Sequence, residues 1–170
     1  MTTETAQQTS IAALTRPSWP WIVGTILSVL GLGISGYLTY EHFTGSASLA
    51  CPAVSSGINC LKVTTSPWSM EFGIPVAVLG LAFFVVMALL QSPWAWAWRH
   101  PMVRAARIAW CLVGLGQAVV LIYDELFKID AICEWCTAVH FLTFVLFVVT
   151  NFGTLATSPH ADEPPETEQQ

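Results

Sequence analysis

Charge is what this chain most lacks. Only 10% of its 170 residues are Asp, Glu, Lys or Arg, against about 25% in an ordinary soluble domain. A deficit of that size, beside 54% hydrophobic residues and eight Trp, excludes a water-soluble globule. Basic residues are the scarcer sign, six Lys and Arg against eleven Asp and Glu for a net charge of -5. That balance excludes a nucleic-acid surface, which needs clustered cations. The first eighteen residues lack the basic start, short apolar core and cleavage site of a secretory signal. No internal repeat and no appended soluble domain is visible, so any soluble partner is expected to be a separate chain.

Long uncharged runs fill the space that charge vacates. Pro17 to Tyr40 is bounded by Arg16 and Glu41; Phe72 to Trp98 is uncharged, as are Ile108 to Tyr123 and Trp135 to Ala161. A helix needs about 20 apolar residues to cross a bilayer. Pro75 suits the first turn of the second span, where its missing N–H would be unpaired anyway. Arg104 and Arg107 can snorkel at one end of the third and lengthen it. The predicted fold is an all-α integral membrane protein, a bundle of four transmembrane helices with an extracytoplasmic capping loop. Its membrane domain covers 17–153, with spans at about 17–40, 73–92, 104–127 and 133–153. The polar segments 1–16 and 154–170 read as disordered cytoplasmic tails.

Orientation follows from the few cations. Arg16, Arg99, Arg104 and Arg107 fall on one side and only Lys62 and Lys128 on the other. Excess Lys and Arg mark the cytoplasmic side, so both termini are expected in the cytoplasm of a multi-pass protein in an inner or plasma membrane. Trp19, Trp21, Trp94, Trp96 and Trp98 then lie near the inner interface, and Trp68 and Trp135 near the outer. Glycines on the first and third spans (Gly24, Gly31, Gly33, Gly36, Gly114, Gly116) would let helices approach closely.

Four of the five cysteines fall outside on this reading. Cys133-Glu134-Trp135-Cys136 is a Cys-x-x-Cys at the start of the fourth span, where a charged loop becomes a membrane helix. Cys51 and Cys60 lie in the loop from Glu41 to Glu71. Both pairs share the oxidising face, where disulfides form and persist, and two dithiols side by side can pass electrons by thiol–disulfide exchange. Cys133 and Cys136 occupy neighbouring positions on one helical face, at a helix N-terminus that favours thiolate. Cys136 is about 4.5 Å deeper along the axis, a depth suited to an apolar acceptor in the membrane. Either pair could instead be an inert staple. Zinc also takes sets of cysteines, but the loop pair has eight residues between its members and the compartment is oxidising, so no metal site is expected. Cys111, inside the third span, reads as a small buried apolar side chain.

These elements together resemble bacterial homologues of the vitamin K epoxide reductase (VKOR) family. The match rests on Cys51 and Cys60 followed by Ser66, on Ser69-Met70-Glu71-Phe72-Gly73-Ile74-Pro75 with Gly80 beyond, and on Ala131-Ile132-Cys133-Glu134-Trp135-Cys136-Thr137-Ala138-Val139-His140. It covers about residues 17 to 153. The resemblance implies a four-helix bundle around a quinone of menaquinone, ubiquinone or vitamin K type. It also implies a thioredoxin-like (DsbA-type) extracytoplasmic protein as redox partner, with catalytic cysteines at Cys51, Cys60, Cys133 and Cys136. Cys51 would take electrons from that carrier, Cys60 would relay them to Cys133, and Cys136 would face the quinone. Ser69 and His140 fall at positions that line the quinone site in the family. Ser69 could equally be a cap for the second span, and His140 a satisfied core histidine. Epoxide reduction is the alternative activity, and a non-enzymatic tetraspan scaffold held by disulfides is the alternative class.

Overall fold

The computed structural model describes residues 19–45, 51, 57–98 and 100–156. The tail expected over 1–16, and that over 154–170 apart from its first three residues, lie outside them. In chain order the elements are α1 (Trp19–Thr44), α2 (Cys60–Thr64), a 3-10 turn (Pro67–Ser69) and a hairpin of β1 (Met70–Glu71) and β2 (Ile74–Pro75). There follow α3 (Val76–Leu90), α4 (Pro93–Ala97), α5 (Pro101–Asp124), a π-helical turn (Glu125–Ile129) and α6 (Glu134–Ala156). Among the described residues, three helices are long and apolar enough to cross a membrane: Trp19–Thr44, Pro101–Ile129 and Glu134–Leu155. The fourth apolar helix, α3, has 15 residues. The protein is an all-α membrane protein apart from its minimal hairpin.

Small residues decide how these helices meet. Helix α1 buries Gly24, Ser28, Gly31, Ser35 and Leu38, a stripe at alternating spacings of four and three that keeps to one face. It packs there against α3 and α6, while α5 packs on α6 and α3. A Cβ on Gly31 would lie 2.2 Å from the Phe84 ring, and one on Gly114 would lie 2.3 Å from Phe83. Gly33 and Gly116 do not take part in the close packing expected of them, because nothing lies within 4 Å of a Cβ at either.

Burial is inverted relative to a soluble protein. Leu89, Val113, Phe141, Phe152 and Leu155 are exposed, whereas Ser28, Gln91, Arg107, Thr150 and Thr154 are buried. Lipid tails accept the former, and polar side chains in a membrane turn inward to find partners.

The run from Phe72 to Trp98 is not one helix. Its first residues form the hairpin, whose turn places Phe72 and Gly73 at φ 52 and φ 78. Pro75 therefore ends β2 and precedes α3 instead of opening a helical turn. At the other end Pro93 keeps Ser92 out of the helical region (φ -59, ψ 151), as a residue before proline prefers. The break leaves carbonyls unpaired, and Arg107 takes them instead of snorkelling. Its Nε donates to Leu90 O at 3.1 Å and its Nη2 to Ala95 O at 3.4 Å, with the guanidinium 4.0 Å over the Trp96 ring. Beside it the fully buried Gln91 donates from Nε2 to Thr150 Oγ1 at 2.5 Å and accepts from Trp96 Nε1 at 2.9 Å. This polar knot ties α3, α4, α5 and α6 at the end remote from the hairpin.

Candidate functional site

Two chain segments far apart in sequence are laced together beside the cysteines. Ile58 and Ile132 form a parallel bridge. Asn59 N donates to Ile132 O at 3.1 Å, and Ile132 N donates to Gly57 O at 3.0 Å. The Asn59 side chain then caps α2, accepting from Lys62 N at 2.9 Å, as Asn does at a helix start. Cys60 thus opens α2 directly after the bridge on one strand, and Cys133 immediately precedes α6 after it on the other. Lys62 Nζ reaches Asp130 O at 3.2 Å and closes the same seam.

All four expected cysteines meet there. Cys51 and Cys60 are joined as a disulfide with Cα atoms 6.1 Å apart, while Cys133 and Cys136 are thiols. Cys60 and Cys133 are buried in one cluster with Val63, Ile129 and Ala131, and Cys51, Trp135 and Cys136 pack against it. Cys136 N donates to Cys133 Sγ at 3.3 Å. The Cys136 thiol and this N–H hold the Cys133 thiol below the usual thiol range, against the opposing effect of burial. A donor at the start of a helix stabilises thiolate in this way, and thiolate is the form that exchanges. Cys111 is elsewhere. It is buried between Met87 and Thr150, and Thr150 is fourteen residues beyond Cys136, about 21 Å at 1.5 Å per residue.

Behind Cys136 lies a cavity of about 390 Å³. Phe83, Phe84, Trp110, Leu121 and Val139 give it apolar walls, and Ser69, Glu71, Gln117, Glu125 and His140 supply polar groups. Ser69 does not cap α3, from which the hairpin separates it; its Oγ donates to Ser66 O at 2.7 Å. His140 is buried one turn below Cys136 on the same wall. Gln117 Nε2 donates to Glu71 Oε1 at 2.7 Å, tying α5 to the hairpin over the cavity, and Lys128 lies 4.1 Å over the Trp68 ring at the rim.

Two of these polar groups escape sequence reasoning. Glu125 lies just past the uncharged run from Ile108 to Tyr123, and Gln117 lies within it. In the structure the π-helical turn carries Glu125 to 6% exposure. Its carboxyl group lies beside the Cys133 backbone N–H and the Cys136 side chain. The signal available in sequence is only its spacing, eight residues before Cys133. An oxidised pair, a reduced pair and an apolar cavity in a lipid-embedded body are the equipment of a membrane redox enzyme. Residues 21–151 match the model of the vitamin K epoxide reductase family, and the chain belongs to that family of membrane oxidoreductases.

Proposed function

We propose that this protein is a quinone-dependent thiol oxidase that reoxidises an extracytoplasmic thioredoxin-like carrier and so drives disulfide formation. The observation that carries the reading is the seam itself: two hydrogen bonds, at 3.1 and 3.0 Å, dock the loop pair onto the helix pair, with the cavity opening behind Cys136. A carrier thiolate attacks Cys51, and Cys60 leaves. Cys60 then attacks Cys133, and Cys136 leaves. Each exchange forms one S–S bond and breaks one. Apolar walls with a few polar groups suit a flat ring bearing two carbonyl oxygens, and Ser69 and His140 would hold it beside Cys136. A bound quinone supplies the two-electron sink for the helix pair. In this reading α3 is a fourth span, the bundle has four transmembrane helices, and the segment from Glu41 to Glu71 is its extracytoplasmic cap. Both termini are cytoplasmic in an inner or plasma membrane.

The exchange is tested by trapping. Replacing Cys51 and Cys136 by Ala removes both resolving thiols, and Cys111→Ala removes the stray one. Cys60–Cys133 should then accumulate. With a protease site placed between Ser92 and His100, the cleaved halves should run together without reductant and separate with it. Halves that part without reductant would favour a static scaffold. For orientation, a membrane-impermeant thiol reagent on reduced intact cells should label Cys51 or Cys60 but not a cysteine placed at Ser92; the reverse pattern would overturn the topology.

A further inference from the structure

The relay above leaves one buried carboxylate without a task. Glu125 opens the π-helical turn Glu125–Ile129, and single π turns recur at functional sites because the extra residue re-aims its neighbours. The turn ends at Asp130, in the left-handed region at φ 52, and the chain doubles back at once. Ala131 N donates to Glu125 O at 3.2 Å, and the carboxyl group lies beside the Cys133 N–H and the Cys136 side chain. Glu125 is therefore fastened by its backbone to the approach of the redox pair, and with Cys136 it lines the cavity. Geometry alone does not call for an acid here. A glutamine would fill the same place without the cost of a charge in a low-dielectric site. What an acid adds is a movable proton.

We propose that Glu125 is a catalytic residue of this site, the proton acceptor and donor for Cys136. The assignment rests on the thiol-relay reading. When Cys136 becomes a nucleophile its S–H bond breaks and an O–H bond forms on Glu125, with no electron transferred. As the Cys133–Cys136 bond then forms, the pair loses two electrons and two protons to the quinone-class acceptor, one proton by way of Glu125. In the exchange with the loop pair, Cys136 leaves as thiolate and Glu125 returns a proton to it. The two protons shed as Cys51–Cys60 forms balance the two gained by Cys133 and Cys136. The titratable groups near Glu125 or lining its cavity are Cys133 just before α6, Cys136 and His140 on α6, Asp124 at the end of α5, Glu71 from the hairpin and His42 from α1.

The test uses the full chain in lipid nanodiscs, wild type against Glu125→Gln and Glu125→Asp. First, the alkylation rate of Cys136 in reduced protein is followed against pH by mass spectrometry. Wild type should show two inflections. Glu125→Gln should show one, displaced to lower pH, because removing a negative charge beside a thiol favours its thiolate. Superimposable profiles overturn the assignment. Second, single-turnover formation of the Cys133–Cys136 disulfide with a short-chain soluble quinone should slow tenfold or more in Glu125→Gln, since general acid–base catalysis contributes about 10²–10⁴. Glu125→Asp, which keeps an acid, should recover part of the rate even if the Gln variant folds poorly. Equal rates in Gln and wild type overturn the proposal. Wild type that does not react with quinone at all defeats the functional reading instead, and the alkylation profile alone then decides the role of Glu125.

Discussion

Ile132→Pro cuts the seam at one atom. Proline has no N–H, so the bond from Ile132 N to Gly57 O, at 3.0 Å, is lost. The companion bond from Asn59 N to Ile132 O keeps its acceptor. The side chain at this position is 39% exposed, so little apolar burial goes with it. A backbone hydrogen bond contributes about 0.5–1.5 kcal/mol net, which is about a twofold to twelvefold rise in the fraction of time the seam is open. Two reporters sense that opening. Asn59 amide exchange should accelerate by this factor, and so should alkylation of Cys133, which is 0% exposed beneath the docked loop. Cys136→Ser in the background keeps the more accessible thiol from competing. Ile132→Ala retains the N–H and should leave both rates near wild type. If Ile132→Pro moves neither rate, the two hydrogen bonds do not hold the cysteine pairs together.

Helix packing gives two further expectations. Gly31→Ala would drive a methyl to 2.2 Å from Phe84 and should destabilise the protein by about 1–3 kcal/mol, read by thermal unfolding in detergent, while Gly33→Ala, with open space around it, should not. Gln91→Leu severs the bonds to Thr150 and Trp96 and should lower stability by about 1–3 kcal/mol at roughly 0.6–1.7 per interhelical hydrogen bond; unchanged unfolding would deny the polar knot a structural role.

Much of the site was legible because its determinants are compositional. The absence of charge marked the apolar segments, and the flanking charged loop placed Cys133 and Cys136 beside the start of the last. What escaped depends on contacts distant in sequence. Arg107 reads as a snorkelling cation until Pro93 breaks the preceding helix and frees the Leu90 and Ala95 carbonyls for it. Ser69 reads as a helix cap until the turn at Phe72 and Gly73 inserts a hairpin before α3. Glu125 sits beside Asp124, and nothing local distinguishes the two. Only the π turn sends one to the redox cysteines, and a single inserted residue leaves no periodic trace over so short a stretch.

The central claim is that electrons pass from the loop pair through Cys136 to a quinone. It is tested most directly by rapid-quench kinetics with dithiothreitol as reductant and a short-chain soluble quinone as acceptor, following quinol absorbance and the thiol state of every cysteine together. In wild type, Cys51–Cys60 should cycle and each oxidised dithiol should yield one quinol. In Cys136→Ala quinol formation should cease while Cys51–Cys60 is still reduced, and in Cys111→Ala turnover should stay near wild type. Quinol formed at a normal rate without Cys136, or a Cys51–Cys60 disulfide that never opens during turnover, would contradict the account.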